Sequence, residues 1–236
     1  MKIAVTGGSG FVGFHLAREL SESGHDVVIL DKDSPPSSDF KFCKIDLTDL
    51  ESLKKGLEKM DVVYHLGAIA DASLAYKAYK MTFDVNVLGT YNVLEASRLN
   101  KVKKVIYAST IWVYNASTIT NVDENSQFTT NTEHVYTTTK FFGEYLCQDF
   151  SNMYGLNFTI LRFGIPYGPG SLFNVIPIFI KKALNGDPLT IRGSGEQKRQ
   201  FVFVKDLVKG CHAALATEAD NEIFNLVGMK MVSVKE

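Results

Sequence analysis

The order of apolar and polar positions predicts strands that alternate with helices from the first residues onward. Residues 3–5 form a short apolar run, residues 6–10 a glycine-rich turn, and residues 11–20 carry apolar side chains at mostly helical spacing. Residues 27–30 are a second apolar run, which ends at Asp31. This succession of strand, turn, helix and strand is typical of one βαβ unit.

The same alternation continues further along the chain. Strands are predicted at residues 42–45, 62–66, 102–108 and 158–162, and helices at residues 50–57, 76–99 and 136–154. The strands are apolar on both faces, as is typical of a parallel sheet that helices cover on both sides. We therefore predict an α/β fold of the Rossmann type, with a doubly wound parallel sheet.

The pattern changes after residue 165, where the elements become shorter. Helices are predicted at residues 173–184 and 206–216, and short strands at residues 189–192, 200–204 and 223–227. We interpret residues 1–165 as the main domain and residues 166–236 as a small α/β lobe that binds the substrate. Ser233 is typical of a helix N-cap followed by a first turn, so we expect this lobe to be truncated.

The composition is that of an ordinary globular protein. The 236 residues carry a net charge of -1, with 45% hydrophobic and 22% charged residues. The chain lacks the strongly basic balance that nucleic-acid binding favours, and it has no apolar run long enough to cross a membrane. Its three cysteines, Cys43, Cys147 and Cys211, are widely separated, so we expect neither disulfides nor a metal site, and a cytoplasmic location.

The glycine-rich turn has the pattern of a dinucleotide-binding site. Gly8-x-Gly10-x-x-Gly13, with Gly7 in front, lies between a predicted strand and a predicted helix. Such glycines let backbone N–H groups approach a pyrophosphate, and the helix N-terminus adds partial positive charge. The turn therefore predicts that residues 1–165 bind a dinucleotide.

Acidic residues at the ends of the next two strands indicate which dinucleotide. Asp31 is placed to accept hydrogen bonds from the ribose hydroxyls, and its charge would repel the 2′-phosphate of NADP, although Lys32 beside it weakens that repulsion. Asp46 and Leu47 are placed to meet the adenine, while an Asp there is also typical of the approach to a helix. The expected cofactor is NAD.

A tyrosine and a lysine at helical spacing predict the catalytic pair. Tyr136 and Lys140 are four residues apart and therefore share one face of the helix. A neighbouring ammonium and the charge of the nicotinamide favour the phenolate, which would lower the tyrosine pKa and make it a general acid/base. Thr110, at the end of a strand, is placed to bond the reacting oxygen, and Ser109 is the alternative.

Together these motifs resemble the extended short-chain dehydrogenase/reductases of the NAD-dependent nucleotide-sugar epimerase/dehydratase family. The similarity rests on residues 6–13, Asp31, residues 46–47, residues 65–68, residues 86–90, residues 109–114, Tyr136, Lys140 and residues 199–206. It implies that Tyr136 takes the proton of the sugar 4-hydroxyl while Thr110 orients that hydroxyl. Hydride passes from C4 to NAD, which leaves a 4-keto sugar.

The resemblance also implies the binding residues and an assembly. The implied cofactor contacts are Gly7, Gly10, Phe11, Val12, Asp31, Lys32, Asp46, Leu47, Leu66, Gly67, Ala68, Ala70, Asn86, Tyr136 and Lys140. The implied substrate contacts are Thr110, Tyr136 and Arg199, with the guanidinium on the diphosphate unless it is simply solvated. Ile165 stands where many relatives have an asparagine that contacts the diphosphate. A homodimer through helices 76–99 and 136–154 is expected.

The residues after Thr110 favour one branch of the family. Dehydratases have Asp-Glu there, because removal of a C5 proton needs a second base, whereas this chain has Ile111 and Trp112. Neither side chain can act as a base, so simple 4-epimerisation is expected. A dehydrogenase that releases NADH and a non-catalytic NAD-binding protein stay open as alternatives.

Overall fold

The structure, a computed structural model, describes residues 1–114, 122–129, 132, 134–172, 174–191 and 193–236. Its strands are β1 (Lys2–Thr6), β2 (Asp26–Asp31), β3 (Lys41–Lys44), β4 (Val62–His65), β5 (Lys104–Thr110), β6 (Asn157–Phe163), β7 (Ile165–Tyr167), β8 (Lys198–Phe203), β9 (Glu222–Leu226) and β10 (Met231–Ser233).

Its helices are α1 (Phe11–Glu22), α2 (Leu50–Gly56), α3 (Ala72–Lys77), α4 (Tyr79–Phe83), α5 (Gly89–Leu99), α6 (Val135–Tyr154), α7 (Val175–Leu184) and α8 (Val204–Ala213). A π-helical turn (Asp84–Leu88) joins α4 to α5, and two 3₁₀ turns follow at Ile111–Tyr114 and Thr217–Ala219. No helix among these described residues is long and apolar enough to cross a membrane.

Seven strands form one parallel sheet in the order β3-β2-β1-β4-β5-β6-β9. One apolar cluster joins the sheet to α1 and α8, and a second joins its other face to α5 and α6. This confirms the doubly wound Rossmann-type fold. The strand order reverses between β1 and β4, and ligands of such sheets bind beyond the carboxyl ends of the strands at that point.

The main sheet continues beyond residue 165. Strand β9 pairs with β6, and α8 packs with Val204, Leu207 and Cys211 in the same cluster as α1. The elements outside the main sheet are a three-stranded sheet, β10-β8-β7, and helix α7. Residues on both sides of the predicted boundary at residue 165 therefore belong to the main sheet and its core. A substrate lobe stays a prediction for the elements around β7, β8 and α7.

Three predicted elements differ in the structure. The long helix at 76–99 is divided, because Ala78, with φ −118° and ψ 53°, leaves the helical region. Residues 189–191 have no regular structure, and Arg192 lies outside the described residues, as does Phe173 at the start of the predicted helix 173–184. Ser233 belongs to β10 because that strand pairs with β8, although Ser233 and Glu236 exchange hydrogen bonds as in a capping box.

Candidate active site

The glycine turn packs the start of α1 against the ends of β1 and β4. Gly7 has φ +69°, and a Cβ there would lie 2.6 Å from the Gly67 nitrogen. A Cβ at Gly13 would lie 2.2 Å from the Gly7 carbonyl oxygen. Both contacts need glycine, because backbone atoms on either side cannot move away.

This arrangement fits a bound pyrophosphate. Gly10 is the N-cap of the 12-residue α1 and offers no side-chain acceptor to the first turn. The Gly10 N–H donates to the Gly7 carbonyl at 3.1 Å, whereas the N–H groups of the first turn of α1 have no carbonyl one turn earlier in the helix. These N–H groups and the partial positive charge of the helix N-terminus suit an anion. Phe11 and Val12, two predicted contacts, lie in that first turn.

Asp31 lies at the carboxyl end of β2, beside the glycine turn. Its Oδ2 accepts a hydrogen bond from the Ser9 N–H at 3.0 Å, and its Oδ1 accepts one from the Asp33 N–H at 3.3 Å. Each carboxylate oxygen has further acceptor capacity, so these bonds orient Asp31 and leave room for ribose hydroxyls. Lys32 next to it is exposed.

Asp46 forms the turn before α2. Its Oδ1 accepts bonds from the N–H and the hydroxyl of Thr48, both at 2.8 Å, and these bonds lower the Asp46 pKa. The neighbouring Leu47 is held where its carbonyl accepts the Asn92 amide at 2.9 Å. The contact of these residues with adenine stays a prediction.

Asn86 ties the segment after β4 to the catalytic helix. Its Oδ1 accepts the Ile69 N–H at 2.7 Å, and its Nδ2 donates to the Ile69 carbonyl at 3.1 Å and to Thr139 Oγ1 at 3.0 Å. The Thr139 hydroxyl donates to the Tyr136 carbonyl at 2.7 Å. The Asn86 amide therefore positions the loop that holds Gly67, Ala68 and Ala70, a role that helical periodicity did not predict.

Tyr136 and Lys140 lie on one face of α6 against the end of β5. The buried Lys140 Nζ donates to the Ala108 carbonyl at 2.8 Å and lies 4.8 Å from the Tyr107 ring centroid and 5.8 Å from that of Tyr136. Thr110 is the last residue of β5. The structure thus brings the predicted catalytic residues to one end of one strand.

Burial opposes the lowered Tyr136 pKa that Lys140 and the nicotinamide charge together were expected to produce. In the structure, burial raises the Tyr136 pKa. Burial also lowers the Lys140 pKa to about 8, and its Nζ bonds the Ala108 carbonyl rather than the phenol. A lowered Tyr136 pKa therefore requires the positive charge of the nicotinamide in addition to Lys140.

A buried ion pair lies beside the site. Arg162 Nε and Nη2 donate to the Glu144 carboxylate at 3.1 and 2.7 Å, and the Ser109 hydroxyl donates to the same carboxylate. Arg162 Nη1 also donates to the Tyr114 hydroxyl and, at 3.2 Å, to the Glu124 carbonyl. Ser109 therefore holds α6 and β5 together and is not free to replace Thr110.

His65 is a buried residue whose two ring nitrogens both have hydrogen-bond partners. Its Nδ1 lies 2.7 Å from Thr6 Oγ1 and its Nε2 lies 3.0 Å from Thr90 Oγ1. Because the Thr90 hydroxyl donates to the Asn86 carbonyl, Nε2 carries the proton and Nδ1 accepts from Thr6. Burial, with a smaller contribution from Lys140, lowers the His65 pKa to about 3.

His65 is expected to make stability depend on pH. The His65 pKa is about 3 in the folded protein and about 6.5 in the unfolded chain. The contribution of the neutral side chain to the free energy of unfolding is therefore complete above pH 6.5 and is lost as the pH falls toward 3. Between pH 7.5 and pH 5, the free energy of unfolding should fall by about 2 kcal/mol more in the wild type than in His65→Gln. Urea unfolding at the two pH values measures this, and equal losses in both proteins would contradict it.

Arg199 lies on β8, away from the contacts that define the catalytic pair. Its guanidinium is exposed and donates to the Lys198 carbonyl at 2.9 Å. Ile165 begins β7, which pairs with the β8 segment that follows Arg199. A diphosphate contact of Arg199 stays a prediction. No cluster of three or more His, Cys, Asp or Glu side chains in the described part of the chain fits a metal ion, and all three cysteines are free.

A Rossmann sheet with this glycine turn and a Tyr–Lys pair defines a dinucleotide-dependent enzyme of the short-chain dehydrogenase/reductase class. Residues 3–227 match the NAD dependent epimerase/dehydratase family, and the chain belongs to that family. This confirms the predicted resemblance, with NAD as the cofactor and nucleotide sugars as the substrate class.

The relatives include enzymes with different chemistry. A UDP-N-acetyl-alpha-D-glucosaminuronate decarboxylase of Bacillus cytotoxicus is 34% identical over 98% of this chain and 76% of its own length. A putative UDP-glucose 4-epimerase of Methanocaldococcus jannaschii is 35% identical over 99% of this chain and 79% of its own. The UDP-glucuronic acid 4-epimerase of Bacillus cereus, solved with UDP-glucuronic acid and NAD, has a TM-score of 0.90 and 32% identity, covering 100% of this chain and 80% of that one.

Proposed function

We propose that the protein is an NAD-dependent 4-epimerase of a nucleotide-activated sugar. The observation that carries the proposal is the residue pair after Thr110, since Ile111 and Trp112 provide no second base. Thr110, Tyr136 and Lys140 supply the groups that oxidation and re-reduction at C4 need.

In this reaction Tyr136 accepts the proton of the sugar 4-hydroxyl, while the Thr110 hydroxyl orients that oxygen. NAD held at the glycine turn would supply a reversible hydride acceptor for C4. Once the 4-keto sugar has rotated to present its opposite face, Tyr136 returns the proton to the C4 oxygen. The enzyme then ends in its starting state. Lys140 stabilises the phenolate through its positive charge.

The test is turnover of a sugar nucleotide. The protein is incubated with NAD and UDP-galactose, and both the configuration at C4 and free NADH are followed. Inversion without net NADH supports the epimerase. Stoichiometric NADH would support a dehydrogenase, and NAD retention without any turnover would support a non-catalytic binding protein.

We also infer a homodimer. The rings of Phe83 of α4 and Phe142 of α6 meet edge to face with centroids 5.9 Å apart, yet both residues are exposed. Tyr79 of α4, Tyr91 of α5 and Tyr145 of α6 are exposed as well. Phe141, by contrast, is buried within the chain. An apolar face of this kind favours a second copy, which sedimentation would detect as twice the mass of 26.2 kDa. The cytoplasmic location stays a prediction.

A further inference from the structure

Trp112, the single tryptophan of the chain, lies beside the catalytic pair. Its backbone N–H donates to Thr110 Oγ1 at 3.3 Å, and its ring meets the Tyr136 ring edge-on, with centroids 6.2 Å apart and an interplanar angle of 89°. Trp112 is also 38% exposed. The indole ring of Trp112 therefore forms a flat, carbon-rich surface beside any substrate oxygen that is hydrogen-bonded to both Thr110 and Tyr136.

His134 extends this surface. Its ring centroid lies 5.5 Å from that of Trp112, and His134 is exposed at the start of α6. Several Lys and Arg side chains stack on aromatic rings, but none of those described stacks on the ring of Trp112. In the part of the chain that the structure describes, the wall beside the reacting oxygen is aromatic and carries no stacked Lys or Arg.

Such a wall discriminates between sugars. A sugar that presents its 4-hydroxyl to Tyr136 brings its ring and the substituents next to C4 close to this wall, and of these the C5 substituent is the one whose charge differs between hexoses and hexuronic acids. Carbon-bound hydrogens pack well on an indole face. A carboxylate at C5 would lose water there, and no described Lys or Arg is stacked on the wall to pair with it, so its burial would cost free energy.

We propose that Trp112 is a specificity-determining residue, which packs against the sugar beside C4 and selects nucleotide sugars with an uncharged C5 substituent. The proposal rests on the 4-epimerase function and narrows its substrate class. It separates this chain from the Bacillus cereus relative that was solved with UDP-glucuronic acid.

Emission from Trp112 tests the contact directly, because no other tryptophan contributes. The NAD-loaded protein is titrated with UDP-galactose, UDP-galacturonate and UDP, and binding is measured independently by calorimetry. We expect a saturable emission change with UDP-galactose and little change with UDP. UDP-galacturonate should bind at least roughly 10-fold more weakly than UDP-galactose. Equal emission changes with UDP and UDP-galactose, or equal affinity for the two sugars, would overturn the proposal.

Two substitutions test selectivity. Trp112→Phe keeps an aromatic wall and should keep the preference for UDP-galactose. Trp112→Ser removes the wall, so KM for UDP-galactose should rise about 10-fold and the preference over UDP-galacturonate should shrink about 10-fold. An unchanged preference in Trp112→Ser would overturn the proposal.

The two proposals fail separately. If UDP-galactose changes the Trp112 emission but C4 is not inverted, the epimerase function is wrong and the sugar contact stands. If C4 is inverted and Trp112→Ser leaves selectivity unchanged, the function stands and this inference is wrong. Absence of binding by both sugar nucleotides would overturn both.

Discussion

Replacement of Tyr136 by phenylalanine is expected to lower kcat for C4 epimerisation about 1000-fold. The substitution removes only the hydroxyl, and Thr110 cannot replace it as a base at neutral pH. The Tyr136 carbonyl still accepts a hydrogen bond from the Thr139 hydroxyl, so α6 and the hydrogen bond between Asn86 and Thr139 stay in place. The melting temperature should therefore change little.

Tyr145→Phe is the matched control, because it removes the same hydroxyl from an exposed position of α6. Its kcat should stay within about 2-fold of the wild type, well below the effect of a lost general base. Single-turnover reduction of bound NAD by UDP-galactose isolates the step in which the proton leaves. If Tyr136→Phe retains more than about a tenth of the wild-type rate, another group is the base, and His134, whose ring contacts Trp112, is the next candidate to substitute.

The sequence predicted the sheet well because its signals are local. Each buried strand is a short apolar run, and the glycine turn marks the one place where backbones at Gly7 and Gly67 meet. Periodicity could not show that β9 returns to pair with β6, since the two strands are distant in the chain. The split of the helix at Ala78 likewise depends on backbone geometry rather than on hydrophobic spacing.

The catalytic pair was predictable from spacing, whereas its electrostatics were not. Tyr136 and Lys140 share a helical face in any sequence that has them four residues apart. Their pKa values depend on how deeply α6 is packed against β5, and burial acts on the two groups independently of their mutual attraction. The ion pair between Glu144 and Arg162 joins two elements and carries no motif of its own, so only the structure reveals it.

Glu144→Gln is expected to lower the free energy of unfolding by about 3 kcal/mol or more. Both side chains of the pair with Arg162 are almost completely buried, at 0% and 2% exposure. Removal of one charge leaves the other uncompensated in the interior. Burial alone would lower the Arg162 pKa, but the hydrogen bonds that Arg162 donates to Glu144 and Tyr114 have the larger combined effect and raise it. The guanidinium therefore stays charged.

Glu51→Gln is the control, since it breaks the exposed pair with Lys54 on α2, where the charged groups are 2.9 Å apart. Exposed pairs contribute at most about 1 kcal/mol. The double variant Glu144→Met with Arg162→Met replaces both charges with apolar groups and should recover part of the loss seen in Glu144→Gln. Urea unfolding of the four proteins gives the comparison, and similar losses for Glu144→Gln and Glu51→Gln would contradict a buried pair.

Glu144→Gln should also slow catalysis, because the carboxylate holds Ser109, the neighbour of Thr110, against the helix that carries Tyr136. A shift of these elements by about 1 Å is enough to lower kcat about 100-fold. Measurement of kcat at a temperature where the variant is fully folded separates this effect from lost stability. A wild-type kcat in the folded variant would mean that the ion pair stabilises the fold without setting the geometry of Thr110 and Tyr136.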